Sequence, residues 1–462
     1  MKTFKTCLQH VNGLKFIYET LPLQSSVGRK RILQQPFITD ACLLQKELNL
    51  LEESIHFLQQ KKNDTATQAI NRILQQIHDI SPALIRLEKQ QVLDDIELFE
   101  IKKFALFTIQ IADLLSNSGC QIISIEDVEP VIGLLDPENK RIPHFYIYSA
   151  YDAELERLRK KIISASNPEK AEEYRWESVK REDFIRADLS QKLYAYHTIL
   201  THNLEQIALL DTLWSKAAQA LKFGFCKPVI LDKTTSYHQL FNPEIKEILK
   251  VSSKMFQPID IDLYPDSCLI TGANMSGKTV LLKTLALSQY LFQFGFYVPT
   301  SKAAIVPVDE VALCIGDRQS ETNGLSSFAT EILEIDRIIK KVKQGKKLLA
   351  LVDELARTTN PEEGKLIVSA FIGIMSKYKV MSLITTHYSG ILTPSRKLRV
   401  KGLKTDRITQ EITPNTLQDY MNYELVETQE EDVPMEALKI AEIFGVDREF
   451  IDFFYFCNLK KS

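Results

Sequence analysis

Gly272-Ala273-Asn274-Met275-Ser276-Gly277-Lys278-Thr279 stands between a short apolar run, Cys268-Leu-Ile-Thr271, and a long apolar-rich segment that begins at Val280. That order reads as strand, phosphate-binding turn and helix, the Walker A arrangement. The two glycines let successive backbone N–H groups close around anionic oxygens, Lys278 is long enough to reach the terminal phosphates, and Thr279 offers a hydroxyl to Mg2+. The N-terminus of the following helix adds the positive end of its dipole. All eight residues are therefore expected to cradle the phosphates of ATP.

A phosphate loop needs an acidic partner to do chemistry. Lys346-Lys-Leu-Leu-Ala-Leu-Val-Asp353-Glu354 is an apolar run that ends in two carboxylates. Read as a buried strand, it places Asp353 beside the Mg2+ shell and Glu354 where it orients a water. Another apolar run, Val380-Met-Ser-Leu-Ile-Thr385, leads into Thr386-His387. Alone, His387 reads as a loop histidine. At the end of a strand beside the phosphate loop, it is a candidate to touch the γ-phosphate or the attacking water, so Glu354, His387 and Lys278 form the expected catalytic set.

Taken together, these residues resemble the ATPase domain of the MutS family of DNA mismatch-repair proteins. Gly272 to Thr279 is similar to the family's G-P-N-M-G-G-K-S, and Asn274-Met275 goes beyond the generic loop. Asp353-Glu-Leu-Ala-Arg357-Thr-Thr359-Asn-Pro-Glu-Glu363-Gly364 resembles D-E-I-G-R-G-T-S-T-Y-D-G at equal length. Thr386-His387-Tyr388 resembles the T-H-Y switch, and Gly324-Leu-Ser326-Ser327-Phe328-Ala-Thr-Glu331 resembles G-R-S-T-F-x-x-E. The likeness implies an α/β P-loop ATPase domain of the ABC/MutS type, preceded by an all-α lever and core domain with long helices.

It further implies a homodimer with composite ATP sites, in which Ser326 reaches the γ-phosphate held by the partner subunit. Ser326 and Ser327 precede the helical pattern Phe328, Ile332, Ile335, Ile338, Ile339, so they also suit a helix N-cap. Two departures stand out. The family's glycines after Asp-Glu are Ala356 and Thr358 here, and Asn360-Pro361 follows, so the loop that faces the partner's nucleotide reads as stiffened.

The N-terminal half is helical in pattern. Leu44, Leu48, Leu51, Ile55 and Leu58 keep a heptad-like spacing, and a second repeat runs from Leu189 through Leu193, Tyr196, Leu200 and Leu204 to Leu221. As one helix, residues 184 to 221 would extend about 57 Å at roughly 1.5 Å per residue. The segment from Tyr18 to Pro36 resembles the start of the MutS lever. Tyr151-Asp-Ala-Glu154-Leu155-Glu-Arg-Leu158-Arg159 resembles the family's Y-N-x-E-L-D-E-L-R, where the DNA clamp is inserted. The expected division is a helical core and lever over 1–224, with the clamp reduced to about 160–183, and the ATPase domain over 225–462. Within the latter, Val433 to Phe444 and Ile451 to Phe456 read as helices, short of a full helix-turn-helix dimer clasp.

A mismatch-reading domain and a connector, each needing on the order of 100 residues, are not expected ahead of residue 20. The family's Phe-x-Glu wedge is not matched by Phe16 and Glu19, so mismatch reading is not expected. A formal net charge of -3 gives no global electrostatic case for nucleic acid. Basic clusters at 157–161, 340–347 and 396–407 are ordinary in a chain that is 25% charged, and the second reads as a solvated face. Seven scattered cysteines point to reduced thiols. The N-terminus lacks an apolar signal core and no long apolar stretch occurs, so a cytoplasmic protein without membrane association is expected.

Two loads for the switch stay open. One is branched or duplex DNA gripped by the levers. The other is a protein: Ala356-Arg-Thr-Thr-Asn-Pro361 and the missing clamp also resemble the MutS-like reactivases of cobalamin-dependent amino-acid aminomutases. A scaffold that binds ATP without turnover fits less well, because the catalytic set is intact.

Overall fold

The computed structural model describes residues 2–272, 276–315, 327–357, 359–388, 390–391, 393–404, 420–428, 441–442 and 444–459. Ala273, Asn274, Met275, Ser326, Thr358 and the expected helix over 433–440 lie outside the described residues. The chain forms two compact units, one of Met1–Thr20, Pro36–Leu48 and Gln219–Ser462, the other of Leu21–Gln35 and Asn49–Ala218.

The second unit is helical. Its central helix, Asp95–Asn117, starts at a reciprocal cap in which Asp94 accepts the Glu97 N–H at 2.8 Å and Glu97 accepts the Asp94 N–H at 3.0 Å. Leu98, Ile101, Phe104, Ala105 and Ile111 bury one broad stripe. The long helix expected over 184–221 is instead two, Pro168–Tyr194 and His197–Phe223. At the break, the Tyr196 N–H turns to the Leu193 carbonyl at 2.9 Å, a tightened i−3 bond, and the His197 imidazole sits 3.1 Å from the Tyr194 carbonyl and stacks on its ring. The apolar repeat runs unbroken through the interruption, so periodicity alone does not reveal it.

The segment 160–183 belongs to a helical hairpin. Helix Ala153–Ser164 turns through three residues into Pro168–Tyr194, with Asn167 as cap and Pro168 in the first turn. Arg159 pairs with Glu182 at 2.8 Å and Arg181 with Asp152 at 2.6 Å across the hairpin. Elsewhere in this unit, buried Asp211 closes the N-terminus of helix Ser26–Gln34 by accepting the Gln24 N–H at 3.0 Å and the Ser25 N–H at 2.8 Å. A Cβ on Gly28 would lie 2.2 Å from the Asp211 Oδ2, so only glycine fits there.

The other unit holds the sheets. Six strands lie in the order Met421–Glu427, Arg396–Leu403, Ser267–Thr271, Met381–Thr385, Leu348–Val352, Glu310–Cys314, and every neighbouring pair is parallel except the first. A smaller sheet joins Val229–Ile230, Lys302–Ile305, Thr235–Leu240 and Ile259–Leu263. The chain is thus a helical N-terminal region followed by mixed α/β sheets. Leu348–Val352 is wholly buried, as a central parallel strand covered on both faces must be. Leu348, Ala350 and Val352 pack with Ile335, Ile338, Phe371 and Met375 from helices Ser327–Lys343 and Pro361–Lys377.

Residues 1–20 and 36–48, which the sequence reading assigns to the helical domain, are drawn to this unit by long-range contacts. Phe4 packs edge-on to Phe294 at 5.1 Å and stacks near Phe296 at 5.9 Å. The Ile38 N–H donates to the Gln293 carbonyl at 2.9 Å, and the Gln293 amide donates back to the Ile38 carbonyl at 2.9 Å and to Val308 at 2.7 Å.

Candidate functional site

Strands Ser267–Thr271, Met381–Thr385 and Leu348–Val352 run parallel and adjacent, so their C-terminal ends open on one edge of the sheet, where ligands bind in open α/β folds. The first feeds the glycine loop and helix Lys278–Gln293. Gly277 caps that helix at φ +82°, a left-handed conformation, and a Cβ there would come 3.0 Å from the Tyr423 ring. Lys278 is buried, and its ammonium donates to the Gly272 carbonyl at 2.8 Å and to the Ser276 hydroxyl at 3.4 Å. The lysine lies folded across its own loop.

Thr279 meets the acidic strand directly. Its hydroxyl donates to Asp353 Oδ2 at 2.6 Å, and the Thr385 hydroxyl donates to Asp353 Oδ1 at 2.5 Å. The Glu354 N–H in turn donates to Thr385 Oγ1 at 3.0 Å. Thr385, at the end of the middle strand, thereby joins both carboxylate positions. Its one signal in the sequence is its place directly before Thr386-His387. The Asp353 N–H is held by the Cys314 carbonyl at 2.8 Å.

Glu354 stands at φ +47° and Ala356 at φ +62°. Arg357, itself largely exposed, pairs with the mostly buried Glu354 at 3.1 Å. Asn360 accepts the Glu362 N–H at 2.9 Å as cap of helix Pro361–Lys377, with Pro361 in its first turn. Asn360-Pro361 is therefore a helix start as well as a loop stiffener. His387 is exposed beside Tyr388, ring centroids 4.4 Å apart. Thus Lys278, Thr279, Asp353 and Glu354 share the edge, and His387 lies on the segment after the middle strand.

Next to the loop an open cavity lies against the start of helix Lys278–Gln293. Leu240, Phe256, Ile259, Val280, Leu281 and Tyr423 line it. The Gln257 amide is engaged with this wall, donating to Asn422 at 2.8 Å and accepting the Tyr423 N–H at 3.1 Å. Each basic cluster has a member in an ion pair: Lys160 with Glu156, Lys340 with Asp336 and Arg396 with Glu427. Among the described residues, no helix is long and apolar enough to cross a membrane.

A phosphate-loop sequence at the open edge of a mainly parallel sheet, with a carboxylate strand hydrogen-bonded to it, defines the class of domain. Residues 268–451 match the family model described as MutS domain V. The chain is 33% identical to Endonuclease MutS2 of Thermus thermophilus over 205 residues, 44% of this chain and 26% of that protein. It is 27% identical to the DNA mismatch repair protein MSH6 of Saccharomyces cerevisiae over 393 residues, 79% of this chain and 30% of that protein. Endonuclease MutS2 of Ligilactobacillus salivarius is 29% identical over 239 residues, 51% of this chain and 29% of that protein. The chain is thus similar to proteins of the MutS family, over residues 268–451 above all. It spans between 26% and 30% of the length of these relatives.

Proposed function

We propose that this chain is a Mg2+-dependent ATPase of the MutS family that acts as a dimeric switch on DNA structure. The observation that carries the reading is the 2.6 Å contact between the Thr279 hydroxyl and Asp353, which puts the phosphate loop and the carboxylate strand in register. Two hard oxygen donors at that spacing suit Mg2+, which prefers carboxylate, hydroxyl, water and phosphate oxygens. Held by Thr279 and Asp353, Mg2+ would supply charge neutralisation for the phosphates.

The remaining work falls to side chains. Lys278 exchanges the Gly272 carbonyl for phosphate oxygens, and the N–H groups of Gly272 to Thr279 take the rest of the charge. Glu354 orients the attacking water, and His387 reports the γ-phosphate. The base packs in the apolar cavity between Phe256 and Tyr423. Ser326 of the partner subunit completes each composite site, so ATP draws two copies together and hydrolysis releases them.

Glu354→Gln is expected to bind ATP with unchanged affinity and to turn it over at least 100-fold more slowly, as removal of a water-orienting group predicts. Steady-state phosphate release and titration with a fluorescent ATP analogue read the two quantities. Normal turnover in this variant sinks the role of Glu354.

DNA as the load rests on the relatives named for mismatch repair and endonuclease action, and on the MSH6 match, which extends into the helical region. Nothing here favours the aminomutase alternative. Fluorescence anisotropy with four-way-junction, mismatched and homoduplex DNA is expected to show a preference for the junction that depends on a non-hydrolysable ATP analogue and persists at physiological salt. Weak binding that salt abolishes, alike for all three, excludes DNA structure as the load.

A further inference from the structure

We propose that Tyr388 and Glu331 are positioning residues that clasp Ala356 from two sides, fixing the turn that carries Glu354 and tying it to the segment that carries His387. The role rests on the ATPase reading above, while the clasp itself is a matter of geometry. Ala356 is fully buried and left-handed, in a turn where Glu354 is left-handed too. Residues with a side chain hold such conformations only where their surroundings over-determine them.

The surroundings here are two side chains from different segments. The Ala356 N–H donates to Glu331 Oε1 at 3.0 Å, and the Ala356 carbonyl accepts the Tyr388 hydroxyl at 2.6 Å. Both backbone polar groups of Ala356 thus meet a side chain from outside the turn, and the carbonyl also accepts the Thr359 N–H at 3.2 Å. The phenol fits because residue 364 has no side chain: a Cβ there would lie 2.4 Å from the Tyr388 hydroxyl oxygen. Burial raises the Tyr388 hydroxyl above its ordinary value, and the nearby Glu331 carboxylate pushes the same way, which keeps it a protonated donor.

The clasp extends beyond Ala356. The Tyr388 N–H donates to Thr386 Oγ1 at 3.1 Å, and the Thr386 N–H donates to the carbonyl of Ile270, on the strand that leads into the phosphate loop, at 3.1 Å. Glu354 is held on its other side by Thr385, through its own N–H at 3.0 Å. The segment 385–388 therefore grips the 354–356 turn at two peptides, one on each side of Leu355. A shift at His387 moves Glu354, and through Glu331 it reaches helix Ser327–Lys343. Glu331, Gly364 and Tyr388 end three of the sequence motifs without a role in phosphate chemistry, and the fold gathers them at one alanine.

The test uses the full chain with Tyr388→Phe, Glu331→Ala and Glu331→Gln. Tyr388→Phe and Glu331→Ala are expected to lower kcat about 10-fold or more while affinity for a fluorescent ATP analogue stays within about threefold, the signature of lost positioning. Glu331→Gln keeps a carbonyl acceptor and is expected to restore most of kcat. Hydrogen–deuterium exchange of the peptide spanning 353–364 should speed up about 10-fold in Tyr388→Phe. Unchanged exchange overturns the clasp, and faster exchange with unchanged kcat overturns its positioning role. Should the unaltered protein hydrolyse no ATP, the ATPase reading and the positioning role fail together, while exchange still decides the clasp.

Discussion

Lys278→Ala should lose nucleotide binding, with affinity for ATP falling 100-fold or more. The ammonium is buried and already drawn across the loop to the Gly272 carbonyl at 2.8 Å, so it has little search to make before meeting a phosphate. A charge-assisted hydrogen bond from a desolvated ammonium contributes about 1.5–3 kcal/mol, and Coulombic attraction to the terminal phosphates adds to it. Thermal unfolding separates this loss from misfolding. In the unaltered protein, saturating ATP and Mg2+ should raise the Tm by mass action, whereas in Lys278→Ala the Tm without ligand stays near its original value and the ligand-induced rise disappears. A retained rise would remove Lys278 from the phosphate site.

Lys102→Ala should unfold the helical unit far more readily, costing about 3–5 kcal/mol, as breaking a buried ion pair on one side does. Lys102 and Asp136 are both fully buried, with the ammonium 3.0 Å from Asp136 Oδ1. Its other protons go to the His144 carbonyl at 2.9 Å and the Tyr148 hydroxyl at 3.0 Å, so all three donors are used. Asp136 also accepts the Arg141 N–H at 2.6 Å. Removing the lysine leaves this carboxylate buried and unbalanced. The double variant Lys102→Met with Asp136→Leu should recover much of the loss, which urea unfolding would read as a midpoint back toward the original.

The same pair sets a pH dependence. Burial opposes the charged form of Asp136, but the Arg141 N–H and then Lys102 outweigh it, so the carboxyl titrates below its ordinary range. Its folded pKa lies under the unfolded value of about 3.9, so the stabilisation is complete above that value. It is lost as pH falls through the folded pKa. In Lys102→Ala, where the depressing charge is gone, the acid limb of the stability curve should flatten.

The phosphate loop and the carboxylate strand are legible because each motif joins a short apolar run to polar groups that a packed core would not otherwise need. Thr279 and Asp353 follow from that pattern, and the fold sets their oxygens 2.6 Å apart. Thr385 is not legible, since a threonine ending a strand is ordinary until its hydroxyl is seen on Asp353. The grip on Ala356 is hidden for a different reason: it joins the ends of three motifs that no local spacing relates. Phe256 and Tyr423 give no signal as cavity walls, being far apart in sequence and ordinary in composition. The break at Ala195-Tyr196 escapes because a heptad seam tolerates a tightened turn without losing its apolar phase.

The aromatic and amide contacts that bind residues 4 and 38 to residues 293–296 have a temporal side. During synthesis at about 5–20 residues per second, Phe4 and Ile38 leave the ribosome roughly 10–60 seconds before their partners do. The Gln293 amide lies 255 positions along the chain from the Ile38 carbonyl it binds. Pairings so distant raise contact order and slow folding. Until they form, two early apolar segments must wait for the surface that covers them.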